Sequence, residues 1–182
     1  MTPGSGGLKP IDLGPTGERV AEGVAHFRNA RRLSYQALSD LLSDAGWPIP
    51  ILGLRRIESR ARRVTVDDLM ALAFVLEVPP LDLLMPPPLS DGPMPTGAPD
   101  GLVPAEVRAW ARENTGLSPR ALVSYWDERY DELMRDFEML IGLVERASTP
   151  ALRRKHFEDE LTQVRRELAI AKGRLEQLRT DG

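Results

Sequence analysis

Pro50-Ile-Leu-Gly-Leu-Arg-Arg-Ile-Glu-Ser-Arg-Ala-Arg-Arg63 is the stretch on which the reading of this chain turns. Pro48 and Pro50 disfavour helix in the residues before them, so a helix starts at or after Pro50. Within it Leu54 and Ile57 point inward at a spacing of three. Ile51, Leu52, Arg55, Arg56 and Ser59 are then left mostly outward, with Gly53 leaving room for close approach. From Arg55 to Arg63 there are five arginines and one acid, Glu58, a local excess of four positive charges. A helix this short, apolar behind and basic in front, is held by its neighbours rather than by its own propensity.

Those neighbours are legible. Ser34 is a good N-cap for a helix burying Leu38 and Leu42, with Leu41 flanking, and Ala45-Gly46 ends it, glycine being the usual residue past a helix C-terminus. Trp47-Pro-Ile-Pro50 forms the turn. After the arginines, Thr65 with Asp68 makes a capping-box-like start for a further helix whose core face is Leu69, Leu72, Ala73 and Leu76. Residues 78–84 close the unit as a short fifth helix with Leu81 and Leu84 expected inside. Upstream, a first helix over residues 17–32 starts at Thr16 and buries Val20, Val24 and Phe27. Residues 1–16, rich in glycine and proline, read as a flexible arm.

Whole-chain properties narrow the function classes. An apolar content of 42% suffices for a packed core, and a net charge of −3 argues against a histone-like coat on nucleic acid. With no cysteine, disulfides, thiolate metal sites and cysteine nucleophiles are excluded. His26 and His156 lie far apart, so no metal constellation and no cofactor is expected. There is no phosphate-cradling glycine loop and no Ser/His/Asp set, so an enzyme is not expected. No apolar run approaches the roughly 20 residues of a membrane span, and no signal-peptide pattern opens the chain. The expected location is cytoplasmic, on the nucleoid. Arginine outnumbers lysine 21 to 3, which with abundant Ala, Gly and Pro points to GC-rich coding and a bacterial source.

The segments Leu33-Ser-Tyr-Gln-Ala-Leu-Ser39, Leu54-Arg-Arg-Ile-Glu58, Val64-Thr-Val-Asp-Asp-Leu69 and Leu72-Ala-Phe-Val-Leu-Glu-Val-Pro79, in that order, resemble the lambda-repressor-like (Cro-type, XRE) helix-turn-helix family over residues 17–85. The resemblance implies a five-helix bundle with its third helix in the major groove of double-stranded DNA. By position, Ile51, Leu52, Gly53, Arg55 and Arg56 would face base edges, and Tyr35 and Gln36 would meet phosphate. Arg28 and Glu58 fall where the family often has an ion pair between helices one and three. Two departures stand out. The turn before helix three is about two residues longer than the family's, and Arg60 stands where the family commonly has glycine. A left-handed residue there costs on the order of 1 kcal/mol if it is not glycine, so that turn is expected to be built differently.

The chemistry fits the placement. A guanidinium fork matches guanine O6 and N7, and Ile51 and Leu52 suit thymine methyls. Arg60, Arg62 and Arg63 would serve phosphates, which position without reading sequence. Blander readings are a solvated face for Arg55 and Arg56, core for Ile51 and Leu52, and local acids for the loop arginines.

Residues 86–102 read as a proline-rich linker. Beyond it, over 103–180, a short helix with Pro104 in its first turn precedes two long ones. Val123, Trp126, Tyr130, Leu133, Phe137, Leu140 and Val144 form one seam; Phe157, Leu161, Val164, Leu168, Ala171, Leu175 and Leu178 form another, with Ser148-Thr-Pro150 breaking the chain between them. Each seam satisfies the other in an antiparallel hairpin, or two hairpins join as a four-helix bundle. A homodimer is favoured, because two-fold dimers reading paired half-sites are the usual solution for so small a reader. The expected class is therefore all-α: a helix-turn-helix domain, a linker, and a helical hairpin or coiled coil for oligomerisation or for a protein partner. The expected function is a DNA-binding transcription regulator, a repressor by preference. The alternative is an antitoxin-like or adaptor module whose C-terminal coiled coil carries the activity.

Overall fold

Each helix start in the first hundred residues has its own chemical cause. Ser34 accepts from the Ala37 amide at 3.1 Å and opens α2 (Tyr35–Asp44). Pro50 is the residue before α3 (Ile51–Glu58). Thr65 and Asp68 form a reciprocal capping box at the start of α4 (Val66–Leu76). α1 (Pro15–Ala30) begins differently from the sequence expectation: Gly14 is its cap and Pro15, with its pre-set φ, its first residue. Thr16 instead exchanges hydrogen bonds with Thr96. α5 (Pro80–Leu84), α6 (Pro104–Glu113), α7 (Pro119–Glu145) and α8 (Ala151–Thr180) follow. The structure is a computed structural model describing residues 12–88, 90–113, 115–146 and 151–180, without the side chains of 151 and 152. Among the described residues every regular element is α-helical, and no helix is long and apolar enough to cross a membrane. Residues 1–11, most of the expected arm, and the expected break at 148–150 lie outside them.

The helix ends are as regular as the starts. After α1, α2, α3 and α4 the chain turns through a left-handed residue: Arg32 (φ 55°), Gly46 (φ 78°), Arg60 (φ 61°) and Glu77 (φ 54°). In each, that residue and its successor donate amides back to the last turn, as Arg60 does to the Ile57 carbonyl (3.0 Å) and Ala61 to that of Arg56 (2.7 Å). Arg60 thus adopts the very conformation its lack of glycine argues against. The cost, on the order of 1 kcal/mol, is opposed by its ion pairs to Glu18 and Glu22 on α1.

The chain divides into two compact units, Met1–Arg108 and Ala109–Gly182. In the first, Val20, Val24, Leu38, Leu42, Ile49, Leu54, Ile57, Leu72, Ala73, Leu76 and Leu83 form one closed core. Phe27 and Leu69 are partly buried against it. Two corrections apply. Leu83, not Leu81 or Leu84, is the fully buried residue of α5. It packs on Gly23 of α1, where an added Cβ would lie 3.1 Å from the Leu83 side chain, so the glycine lets the two helices close. Ile49, in the turn between its two prolines, is also core. The proline-rich stretch does not stand off as a spacer: Pro86 is buried, Thr96 is bonded to Thr16, and Arg108 pairs with Asp82. The first unit runs through it to Arg108.

In the second unit α7 and α8 pack along their lengths as an antiparallel hairpin, with Arg129 on Glu167 (2.9 Å) and Asp127 on Arg179 (2.7 Å). Ser118 caps α7 by accepting from the Ala121 amide. Trp126, Leu133 and Leu140 are buried on one side, Leu161, Ala171 and Leu175 on the other. Val123, Tyr130, Phe137, Val144, Phe157, Val164, Leu168 and Leu178 are half-buried. Both seams therefore meet within one chain.

Candidate nucleic-acid interface

α3 is two turns long, and its inner face is fixed by chemistry. Leu54 and Ile57 are fully buried, and one turn apart they anchor the helix to the core. The residues between and before them are forced outward. Leu52 is 59% exposed, Arg55 and Arg56 are exposed, and Ile51 is half-buried at the start. Arg55 and Arg56 have no carboxylate partner among the described residues. Arg55 lies over the Tyr35 ring, 5.3 Å from its centroid.

Gly53, expected to face outward with them, is buried and faces inward. A Cβ there would meet the Arg62 Nη1 at 2.8 Å and Ile49 Cγ2 at 3.1 Å. Position 53 lies one turn before Ile57, on the inner side, which is why it belongs to the packing and not to the outward face.

Behind the arginines sits a charged cluster. Arg28 of α1 makes a two-pronged pair with Glu58 of α3, Nε to Oε1 at 2.6 Å and Nη2 to Oε2 at 2.9 Å, while its Nη1 donates to the Leu33 carbonyl at 3.0 Å. The Tyr35 hydroxyl donates to Glu58 Oε2 at 2.7 Å, and the Arg28 guanidinium lies 4.2 Å from the Tyr35 ring centroid. One carboxylate thus joins α1, α2 and α3. The bond to Glu58 raises the Arg28 pKa against the opposing effect of burial, so Arg28 stays charged. The same carboxylate, followed by burial, raises the Tyr35 pKa. Tyr35 is thus partly buried with its hydroxyl already engaged and guanidinium groups of Arg28 and Arg55 over its ring. Gln36 is exposed, its amide donating to Asp40 at 2.8 Å.

The loop arginines differ from one another. Arg60 is held by Glu18 and Glu22. Arg62 donates to Asp68 at 2.9 Å. Arg63 is exposed and donates to the Asp12 carbonyl at 3.1 Å. Arg63 thus keeps a charge that no carboxylate neutralises among the described residues. Arg32, at the end of α1, is in the same state.

Asp68 is 2% exposed. It accepts from Trp47 Nε1 at 3.0 Å, from Arg62, and from the Thr65 amide at 3.2 Å. Burial pushes its pKa up, but the bonds from Trp47 and Thr65 and the charge of Arg62 outweigh it, and the carboxyl sits below its ordinary value. Sequence reasoning found Asp68 only as half of a cap; its partners 21 residues back and six back leave no periodic signal. Among the described residues no group of three acidic, His or Cys side chains could hold a metal ion.

No protein family matches the chain, and comparison with curated proteins and with solved structures returned no match.

Proposed function

We propose that this chain is a sequence-specific double-stranded DNA-binding transcription regulator of the lambda-repressor-like helix-turn-helix kind, reading the major groove with α3. The observation that carries the reading is the outward face of α3. Among the described residues Arg55 and Arg56 meet no carboxylate, and they stand beside exposed Leu52 on a helix whose other face is packed into the core. Guanidinium forks for guanine and an aliphatic group for thymine methyls are the side chains that base edges in the major groove call for. Arg63, Arg32 and Gln36 offer contacts to phosphate, which fix register without reading sequence. Arg60 and Arg62, each paired to acids within the chain, contribute less to that set. Repression is the expected mode, since occupying a site needs no further machinery.

A second reading has an observation of its own. The hairpin leaves Tyr130, Phe137, Phe157 and Leu168 half-buried, the surface expected of a module that takes another helix, whether a second copy or a different protein.

Selection of duplexes from a random pool by the full-length protein at near-physiological salt separates them. Enrichment of a two-fold palindrome supports a dimeric regulator, with half-site spacing giving its geometry; a single asymmetric site supports a monomer. No enrichment overturns the DNA reading and leaves the interaction module.

A further inference from the structure

Leu54 and Ile57, three residues apart, define a line, and Glu58, bound to Arg28 and Tyr35, ties down the C-terminal end of α3. It is therefore the N-terminal half of the helix and the turn leading into it that retain freedom to swing about that line. Base readout does not tolerate such freedom: contacts of this kind need to be held within about 0.5 Å and 10–20°. The chain closes that freedom from both ends of α3 with one carboxylate. Ahead of the helix, Trp47 donates its indole N–H to Asp68 Oδ1 at 3.0 Å from the lengthened turn. Behind the helix, Arg62 donates to Asp68 Oδ2 at 2.9 Å, and its other terminal nitrogen reaches over Gly53 in the middle of α3. Ser39 adds a bond to the Ile49 carbonyl (2.8 Å), fixing the same turn to α2.

We propose that Asp68 is the positioning residue of the reading helix: through Trp47 and Arg62 it sets the pose of α3, and so decides which base pair Arg55 and Arg56 meet. This rests on the DNA reading above. Capping α4 accounts for the bonds between Asp68 and Thr65, but not for an indole and a guanidinium brought to the same carboxylate from the two ends of another helix. The longer turn, which as a bare loop would blur the pose of α3, becomes through Trp47 the means of defining it.

The test compares full-length wild type with Trp47→Phe, Arg62→Gln and Asp68→Asn. Trp47→Phe removes the indole N–H together with part of the ring at a residue that is 41% exposed and is not one of the buried core residues. Arg62→Gln removes the charge from a side chain 34% exposed. Each protein is melted by circular dichroism, put through duplex selection well below its melting temperature, and titrated with the best wild-type site. The expected result is an intact fold with altered base preference at the positions read by α3. Affinity for the wild-type site should fall about tenfold, the scale of losing one base contact. A merely structural role lowers the melting temperature and leaves the preferred sequence unchanged. Folded variants that select the wild-type sequence with wild-type affinity overturn the positioning role alone. A wild-type protein that selects nothing overturns the DNA reading, and the positioning role with it.

Discussion

The two units solve the same problem, hiding apolar surface with helices alone, and reach different ends. Five short helices enclose a core in which Val24, Leu38, Leu42, Leu54, Ile57 and Leu72 have no measurable exposure. Two long helices bury fewer than half of their seam residues and leave three of the seam's four aromatics partly in solvent: Tyr130, Phe137 and Phe157 are half-buried while Trp126 is covered. The difference is geometric. A bundle surrounds its core, whereas a pair of helices meets along one line and a bulky ring spills past it. The first unit encloses its core and still keeps isolated apolar side chains outside, with Val66 78% and Phe74 74% exposed; the second leaves the seam itself half open to a further helix.

Breaking the first unit at its charged centre should have the largest effect. Glu58→Ala leaves Arg28 without its partner at side-chain exposures of 11% and 8%, and removing one member of such a buried pair costs about 3–5 kcal/mol. Urea denaturation followed by circular dichroism should show an early transition, with the α7–α8 helices melting as before. A single unchanged transition would mean that the cluster is dispensable.

The contrast in enclosure predicts a contrast in cost. Leu38→Ala, at a site with no exposure, should cost about 2–5 kcal/mol. Leu168→Ala, half-buried on α8, should cost about 1 kcal/mol or less, since far less surface leaves water. Equal losses, together with a concentration-dependent melting temperature for Leu168→Ala, would show that a second chain covers the seam.

Function should separate from stability on the outward face. Arg55→Ala should leave the melt nearly unchanged, cost about 1–3 kcal/mol on the selected site and relax one base position. Arg63→Ala should weaken all duplexes alike and shallow the salt dependence by about one ion. An Arg55→Ala protein with unchanged affinity and preference removes Arg55 from the base readers.

The smallest effect expected is at acid pH. Asp68 has its folded pKa below the unfolded value near 4, so its stabilisation is fully present above that value and is lost as pH falls through the depressed folded pKa. The first unit should therefore lose stability on acidification below about pH 4. Asp68→Asn should flatten that limb without altering stability trends near neutrality. An acid limb of unchanged slope in the variant assigns the loss to other carboxylates.

How much could be read beforehand followed from the range of each interaction. Leu38 and Leu42, Leu54 and Ile57, and Leu72 and Leu76 are pairs within one helix, and spacing alone marks them. So do the caps at Ser34, Thr65 and Ser118, whose partners lie three residues on. The Arg28–Glu58 pair, 30 residues apart, came only through the family resemblance and is present with both prongs. What escaped lies where periodicity has no purchase. Ile49 sits between two prolines, Leu83 in a helix too short to show a period, and Gly53 has no side chain to betray its face. The acids that hold Arg60 lie on α1, about 40 residues upstream, and nothing local announces them.

The left-handed helix ends bear on how this chain can change. Arg32, Arg60 and Glu77 each occupy a conformation that glycine adopts freely and other residues take at a cost on the order of 1 kcal/mol. Two of them recover part of it through long-range pairs: Arg60 with Glu18 and Glu22, Glu77 with Arg31. Arg32 has no such pair among the described residues. Position 32 is therefore an untapped reserve, where one substitution to glycine would relax the backbone and strengthen the bundle while surrendering one of the charges offered to phosphate. A lineage needing tolerance for a costly change elsewhere, such as a new side chain on the outward face of α3, has that slack to draw on.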